Sequence, residues 1–187
     1  MFLADASARL EGGNVNDAAE LHIGGEADDK AQAYRLLAAQ TTALLEGESD
    51  AIANAANLSA LLYATLPDLN WAGFYRLQGD ELVLGPFQGK PACVRIGIGR
   101  GVCGAAAAGR RTIVVPDVHA FPGHIACDSA SRSEIVVPVI VGDFLLGVLD
   151  LDSPTAARFD DVDRDGLEAV VAAYVRSLTP RDGRVVS

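Results

Sequence analysis

Apolar residues recur three and four positions apart in two segments near the beginning of the chain, which is the period of an amphipathic helix. The first segment covers residues 28–46, where Asp28 or Asp29 can cap the helix. The second covers residues 50–66 and ends at Pro67. The two apolar stripes consist of Tyr34, Leu37, Thr41, Leu44 and Leu45, and of Ile52, Ala55, Ala56, Ser59, Leu62 and Tyr63. We therefore expect two helices that each bury one face.

After Pro67 the apolar residues alternate with polar ones or form short continuous runs, as they do in β-strands. The dipeptides Gly79-Asp80 and Gly142-Asp143 each separate two such runs and predict two hairpins. The predicted strands are residues 71–77, 81–85, 92–96, 112–115, 134–141 and 144–150.

Two further helices complete the pattern: a short alanine-rich helix at 102–108, and a closing helix at 160–178 capped by Asp160 or Asp161. This order predicts an α+β fold, with a central antiparallel sheet of about six strands and the N- and C-terminal helices packed on one face. The central segments of the chain must then cover the other face. A pocket between these segments and the sheet is the natural ligand site.

Residues 117–132 contain Pro, Gly, His and Asp without any period and predict a long loop, a feature that is often functional. Residues 1–26 predict a loosely ordered N-terminal extension, which is either an unpacked tail or a contact in a homodimer. Residues 180–187 predict a polar tail. We therefore expect one domain over residues 27–179 of the 187.

Half of the residues are hydrophobic and 21% are charged, which is an ordinary balance for a globular protein. The formal net charge of −10 disfavours binding to nucleic acid, which requires clustered Lys and Arg, and binding to anionic membrane surfaces. The sequence contains neither a basic apolar leader nor an apolar run long enough to span a membrane. We therefore expect a cytoplasmic protein.

The three cysteines, Cys93, Cys103 and Cys127, lie between residues 85 and 128, together with His119 and His124. They form no Cys-x-x-Cys pair, which argues against a thioredoxin-like or zinc-ribbon site. Structural disulfides are rare in the cytosol, so the cysteines indicate catalysis, redox chemistry or metal binding.

Seven short motifs extend this interpretation. They are WAGFY at 71–75, GPFQGKPAC at 85–93, GVCG at 101–104, VPDVH at 115–119, FPGHIACD at 121–128, SEIVVP at 133–138 and GVLDLDS at 147–153. Over residues 28–178 the chain resembles the GAF domain and, within it, the free methionine-(R)-sulfoxide reductases. The resemblance implies a GAF-like catalytic domain over residues 27–179.

The implied reaction reduces free L-methionine (R)-S-oxide to L-methionine while a dithiol is oxidised. It passes through a cysteine sulfenic acid and an intramolecular disulfide. The resemblance implies a thioredoxin-like reductant and no bound cofactor. Selectivity for the (R) form rests on the resemblance alone.

The resemblance makes Cys127 the nucleophile. A helix beginning at residues 128–131 would lower the pKa of its thiol and favour the thiolate. Cys93 is the expected resolving cysteine and Cys103 is the competing choice, because the resemblance supports both. Spacing cannot decide between them, since a disulfide requires proximity of the two Cα atoms in the fold.

Free methionine carries an ammonium and a carboxylate, so its pocket needs buried acids and hydrogen-bond donors. Asp150 and Asp152 are two positions apart on a predicted strand, hence on one face, and are expected to hold the ammonium. Glu134 is the expected proton donor to the sulfoxide oxygen. The expected carboxylate ligands are backbone N–H groups around Ile125, Ala126 and Asp128.

Trp71 and Tyr75 lie four positions apart on a predicted strand and therefore share a face. They can wall the S-methyl group of the substrate, since sulfur packs well against aromatic rings. The alternative is that both are ordinary core aromatics.

Two other functions compete with the reductase. One is a metal site built from His119, His124 and Cys127 with Cys93 or Cys103, although this spacing is not a common zinc pattern, and we expect no metal. The other is a non-catalytic GAF module that senses an amino acid or a nucleotide. The cysteines and the acid pair favour the reductase.

Overall fold

The computed structural model describes residues 27–123 and 129–178. The predicted extension (1–26) and polar tail (180–187) lie outside these residues. The elements in chain order are α1 (Ala27–Leu44), α2 (Ala51–Thr65), β1 (Trp71–Gln78), β2 (Glu81–Gly89), β3 (Arg95–Gly97), α3 (Gly101–Gly109), β4 (Ile113–Val115), a short 3-10 helix (Val118–Ala120), β5 (Ser133–Val141), β6 (Phe144–Ser153) and α4 (Asp161–Ser177).

The six strands form one sheet in the order β3-β2-β1-β6-β5-β4, and all neighbouring strands are antiparallel. The two predicted hairpins, β1–β2 and β5–β6, lie side by side because β1 pairs with β6 at the centre of the sheet. The predicted α+β fold with a six-stranded antiparallel sheet is confirmed.

The two faces of the sheet bury different sets of residues, because successive side chains of a strand point in opposite directions. Ala72 and Phe74 of β1 belong to the core beneath α1, α2 and α4. Trp71 and Tyr75 belong to a second core that includes α3. The terminal helices therefore pack on one face, as predicted, and the central segments cover the other.

The buried stripe of α2 differs from the predicted one. Ile52, Ala56 and Tyr63 are exposed, and the buried residues are Asn54, Ala55, Leu58, Ser59 and Leu62. The rotation is set by buried polar groups, because the Ser59 hydroxyl donates to Pro86 O (3.2 Å) and Asn54 Nδ2 donates to Ser177 Oγ (2.9 Å). These bonds tie the helix to β2 and α4, which a hydrophobic pattern cannot reveal.

The ends of α1 also differ from the prediction. Asp28 and Asp29 lie in its first turn and not at its cap, and Leu44 is exposed whereas Leu45 is buried.

The third strand begins later than predicted, at Arg95, so that Cys93 precedes it. Pro91 has no N–H to contribute to a ladder, and the Cys93 carbonyl accepts a hydrogen bond from the Tyr75 hydroxyl (3.1 Å). The second strand is longer than predicted and reaches Gly89 by continuing to pair with β1.

The start of α4 is fixed by two carboxylates, those of Asp160 and Asp163. Asp160 caps the helix, as predicted, by accepting hydrogen bonds from Val162 N and Asp163 N. Partial burial acts to raise the pKa of Asp160, but hydrogen bonds from Lys30 and from the Asp163 backbone outweigh it and lower this pKa to about 2.

Asp163 itself is fully buried and accepts four hydrogen bonds. They come from Lys30 Nζ (2.6 Å), Tyr34 Oη (2.8 Å), Arg158 Nη1 (3.0 Å) and Asp160 N (2.8 Å). The carboxylate thus joins α1, α4 and the segment before α4 in one polar network.

Within the described residues, no helix combines the length and the apolar character needed to cross a membrane.

We predict that Asp163→Ala destabilises the protein by about 3 kcal/mol, because it removes a fully buried carboxylate that pairs with two largely buried cations, Lys30 and Arg158. Urea unfolding followed by circular dichroism measures the loss. Asp165→Ala is the matched control, since Asp165 is an exposed acid of the same helix and should leave the unfolding midpoint unchanged. Equal midpoints for the two variants would contradict the anchoring role of Asp163.

Candidate active site

A cavity lies between the sheet face that carries Trp71 and the first turn of α3. Its walls come from β1, β5, β6, α3 and the segment after β2. The lining residues are Trp71, Tyr75, Lys90, Pro91, Ala92, Ile96, Arg100, Gly101, Val102, Cys103, Ser131, Glu134, Asp150 and Asp152. The cavity is where the sequence predicts a ligand site, between the sheet and the central segments.

Strand register assembles the polar wall of this cavity. Asp152 of β6 lies opposite Trp71 of β1 on one side and opposite Glu134 of β5 on the other. Asp150 lies two positions along the same strand and on the same face, as predicted. Three acidic residues therefore line the cavity from two neighbouring strands.

The apolar wall is a stack of aromatic rings. The Trp71 and Tyr75 ring centroids are 5.8 Å apart at an interplanar angle of 25°, and the Trp71 and Phe87 centroids are 5.3 Å apart. Gly73 lies between Trp71 and Tyr75 on the same face of β1, and a Cβ at this position would meet the Trp71 ring at 2.7 Å. Trp71 Nε1 donates to Lys90 O (3.1 Å), which ties the stack to the segment after β2.

The predicted proton donor Glu134 lies within the acid cluster. Ligand atoms of Glu134, Asp150 and Cys103 all lie within 4.8 Å of one another, and all three side chains are buried. Burial raises the pKa of Glu134 well above its usual range, and the charges of Asp150 and Asp152 raise it further. A hydrogen bond joins the Glu134 and Asp150 carboxyls, and the pKa of each is raised, so the two groups titrate as a pair.

Asp150 is equally buried, and burial followed by the charge of Asp152 raises its pKa. Its Oδ1 atom has no hydrogen-bond partner within the part of the chain that the structure describes. An unsatisfied carboxylate oxygen at this depth is costly. A cationic group placed beside this oxygen would remove that cost.

Cys103 is a buried free thiol in the first turn of α3. Burial raises the pKa of this thiol, as do the neighbouring Asp150 and Glu134. The thiol also shares a hydrogen bond with Asp150. A thiol kept protonated in this way is a weak nucleophile, because the thiolate is the reactive form.

Cys93 is half-buried, just before β3, and is disulfide-bonded. Its backbone carbonyl accepts the Tyr75 hydroxyl bond, so the aromatic wall and this cysteine are directly connected. The two cysteines that compete for the resolving role thus differ: Cys103 is a free thiol and Cys93 is not.

Five predicted site residues lie outside the described part of the chain: His124, Ile125, Ala126, Cys127 and Asp128. The expected helix after Cys127 is not found in the residues that follow. Ser129 and Ala130 form a turn, and β5 begins at Ser133. The short connection to β5 leaves no length for a helix, so a helix dipole there is not a source of thiolate stabilisation.

Some lining residues were not predicted as site residues. Lys90 and Arg100 bring basic residues to the cavity that holds the acid cluster, and Ser131 adds a hydroxyl that accepts a hydrogen bond from Asn70 Nδ2 (3.0 Å). Lys90 lies within the GPFQGKPAC motif, three residues before Cys93, and this closeness in sequence to a site cysteine is the feature that could have identified it as a lining residue. Arg100 precedes α3, whose first turn no side chain caps.

His119, which the alternative metal site requires, lies on the surface. Its side chain is exposed, and Nδ1 pairs with Asp117 Oδ1 at 2.9 Å. Among residues 27–123 and 129–178, the group with ligand atoms close enough to hold a metal ion is Cys103, Glu134 and Asp150, and His119 is not part of it.

The model of the GAF domain family matches residues 31–177. The free methionine-R-sulfoxide reductase of Escherichia coli is 53% identical over 154 residues, covering 82% of this chain and 93% of that protein. The structure of the free methionine-R-sulfoxide reductase of Neisseria meningitidis in complex with its substrate has a TM-score of 0.78 at 45% identity, covering 84% of this chain and 93% of that one. A putative GAF sensor protein from Burkholderia vietnamiensis has a TM-score of 0.77 at 64% identity, covering 79% and 94%.

The raised pKa values of the acid cluster predict a pH-dependent stability. A carboxyl whose pKa is higher in the folded state favours folding below its unfolded pKa of about 4, and this advantage is lost as the pH rises through the folded value. We therefore expect the free energy of unfolding to fall between pH 5 and pH 8. In Asp150→Asn the fall should be smaller by about 1 kcal/mol, since one buried ionisation and its repulsion of Glu134 are removed.

Urea unfolding at the two pH values checks this prediction. Asp80→Asn removes an exposed acid from the β1–β2 turn and serves as the control for net charge. The prediction is contradicted if Asp150→Asn and Asp80→Asn lose the same stability over this range.

Proposed function

This chain belongs to the GAF-domain family and, within it, to the free methionine-R-sulfoxide reductases, and we propose that it reduces free L-methionine (R)-S-oxide to L-methionine with electrons from a dithiol. The observation that carries the proposal is the cavity itself. It brings buried acids, an aromatic wall and a cysteine-bearing helix turn together around one space. A relative that shares 53% of its residues is named for this activity.

Cys127 is the proposed nucleophile. Its thiolate attacks the sulfoxide sulfur, the oxygen is transferred to the cysteine with a proton, and methionine leaves with the electron pair on sulfur. The enzyme is left with a sulfenic acid at Cys127. A second thiol then attacks this sulfur and releases water, which forms an intramolecular disulfide that an external dithiol reduces.

Cys93 is the proposed resolving cysteine. The chain has three cysteines, Cys93 is disulfide-bonded and Cys103 is a free thiol, which favours Cys93 over Cys103 as the partner of Cys127. The raised pKa of Cys103 argues in the same direction, because a protonated thiol attacks a sulfenic acid slowly. Cys103 is then a wall residue that hydrogen-bonds to Asp150.

Glu134 is the proposed proton donor to the sulfoxide oxygen. Donation near neutral pH requires a carboxyl whose pKa lies above its ordinary value. Burial and the two neighbouring acids supply this condition at Glu134. Loss of that proton as the oxygen departs leaves a carboxylate, which the substrate ammonium at Asp150 and Asp152 can offset.

The two charged ends of free methionine fit the two kinds of polar wall. Asp150 and Asp152 are proposed to hold the ammonium. It would donate a hydrogen bond to Asp150 Oδ1, the atom that has no partner within the described residues. The carboxylate is proposed to bind backbone N–H groups around Ile125, Ala126 and Asp128, with the uncapped first turn of α3 and Arg100 on the opposite side. A peptide has neither free end in this form, so the pocket selects the free amino acid.

Trp71 and Tyr75 are proposed to enclose the S-methyl group. Aromatic faces stabilise both a thioether sulfur and the positive charge that develops on sulfur as the oxygen is protonated. Their stacked arrangement on the cavity wall supports this role.

The proposed reductant is a thioredoxin-like dithiol protein, and the proposed compartment is the cytoplasm.

We predict that the wild-type chain forms methionine from the (R) sulfoxide and not from the (S) sulfoxide with excess dithiothreitol, and that Cys127→Ser abolishes turnover. The physical reason is that a serine hydroxyl is not ionised at neutral pH and cannot accept the sulfoxide oxygen. The (R) and (S) sulfoxides are supplied as separate substrates, and chromatographic quantification of the methionine formed from each measures both results. No turnover of either form by the wild type would favour the non-catalytic sensor, the function for which the Burkholderia vietnamiensis relative is named.

A second prediction separates the other two cysteines. With dithiothreitol, Cys103→Ser should keep turnover within about threefold of wild type, because its hydroxyl can still hydrogen-bond to Asp150. Cys93→Ser should accumulate the sulfenic acid at Cys127 after one turnover, which a dimedone adduct detected by mass spectrometry reveals. Accumulation in Cys103→Ser instead of Cys93→Ser would reverse the assignment of the resolving cysteine.

A further inference from the structure

The exposed edge of the sheet beside Cys93 has features of a protein-binding surface. We propose that this β3 edge, made of Cys93, Val94, Arg95 and Ile98, is where the dithiol protein that regenerates the enzyme docks, and that this protein attacks the Cys93 sulfur. The inference rests on the proposed reductase function and goes beyond it, since it assigns a surface and a point of attack.

Apolar exposure is the first observation. Val94, adjacent to the disulfide-bonded cysteine, is 64% exposed, and Ile98 at the other end of β3 is 38% exposed. The intervening Ile96 is buried in the second core, whereas Val94 and Ile98 on either side of it remain exposed. Apolar residues around a disulfide give a partner something to bury when it binds there.

The backbone of β3 supplies the second observation. β3 is the last strand on its side of the sheet, and it pairs only with β2 among the described strands. Val94 O accepts a hydrogen bond from Leu84 N, so the backbone groups of the next residue, Arg95, face away from β2 by the alternation of an antiparallel pair. An extended segment of a partner can add to such an edge and align its own thiol along it.

Charge indicates the chemistry of the partner. Residues 90–100 contain Lys90, Arg95 and Arg100 and no acidic residue, in a chain whose net charge is −10. The Arg95 side chain is 58% exposed, and its bond to Glu81 (3.1 Å) lies at the surface, where such pairs are weak and can exchange partners. The edge therefore fits a dithiol protein with acidic residues around its dithiol. A second copy of this chain is a poorer fit, because two such edges would bring like charges together.

Regeneration proceeds by two thiol–disulfide exchanges. A thiolate of the partner attacks Cys93 Sγ, the intramolecular disulfide breaks, and the other enzyme cysteine leaves as a thiolate that takes up a proton. The partner and Cys93 are then joined by a mixed disulfide. The second thiol of the partner attacks its own first sulfur, which releases Cys93 as a thiol and leaves the partner oxidised by two electrons.

The test compares thioredoxin with dithiothreitol as the reductant for two proteins, a double variant of the edge and a control variant elsewhere on the surface. The double variant Val94→Asp with Arg95→Glu should raise the KM for thioredoxin by about tenfold, because it replaces an apolar side chain with a negative charge and reverses the charge at residue 95. Turnover of the (R) sulfoxide with dithiothreitol should stay within about twofold, since the small reductant needs no docking surface. Phe144→Asp is the matched control, because Phe144 is 75% exposed at the far hairpin and should change neither rate.

An unchanged KM for thioredoxin in the double variant overturns the docking surface. If the KM is unchanged and the double variant also converts a dimer to monomers, the edge is a contact between two copies of this chain and not a docking surface for the reductant. Absence of dithiothreitol-driven turnover in the wild type overturns the proposed function instead.

If the double variant loses both activities, a trapping experiment decides. A thioredoxin whose second active-site cysteine is replaced by serine is mixed with the oxidised wild-type enzyme, and the adduct is located by peptide mass spectrometry. A mixed disulfide at Cys93 supports the proposal. An adduct at Cys127 or Cys103 overturns it.

Discussion

β1 and β6 lie side by side at the centre of the sheet, and their register places Trp71 opposite Asp152 and Gly73 opposite Asp150. The aromatic wall and the acid cluster of the cavity meet through this pairing. The approach is close, because a Cβ on Gly147 would collide with the backbone of Tyr75 and Arg76. A side chain at Gly147 would therefore separate the two strands and with them the two halves of the site.

The acid cluster is stabilised poorly by the protein alone. Glu134 and Asp150 are buried next to each other, and within the described residues one Asp150 oxygen lacks a hydrogen-bond partner. By contrast, the buried Asp163 on the opposite side of the sheet has two cations and a tyrosine hydroxyl around it. Asp163 is thus paired with cations, whereas the described groups that interact with Asp150 are the acids Glu134 and Asp152 and the Cys103 thiol. A buried carboxyl without a neighbouring cation lowers the stability of the protein.

The cysteines follow a similar division. Cys103 is held protonated inside the cavity by burial and by acids, while Cys93 stands at the exposed edge of the sheet beside basic residues. Tyr75 links the two environments, since its ring lines the cavity and its hydroxyl holds the Cys93 carbonyl. The two cysteines therefore differ in access: Cys103 is buried, whereas Cys93 is half-buried beside the exposed Val94.

Features that depend on local period could be predicted from the sequence: the α+β order, the two hairpins, and the shared face of Asp150 with Asp152 and of Trp71 with Tyr75. A period of two places side chains on one face of a strand regardless of its neighbours. Which faces meet is a property of the tertiary fold. The rotation of α2 depends on the bonds of Asn54 and Ser59 to distant segments, and the place of Cys103 beside Glu134 and Asp150 depends on how α3 packs across the sheet. Such contacts join residues far apart in the chain, and spacing along the sequence does not encode their distance in space.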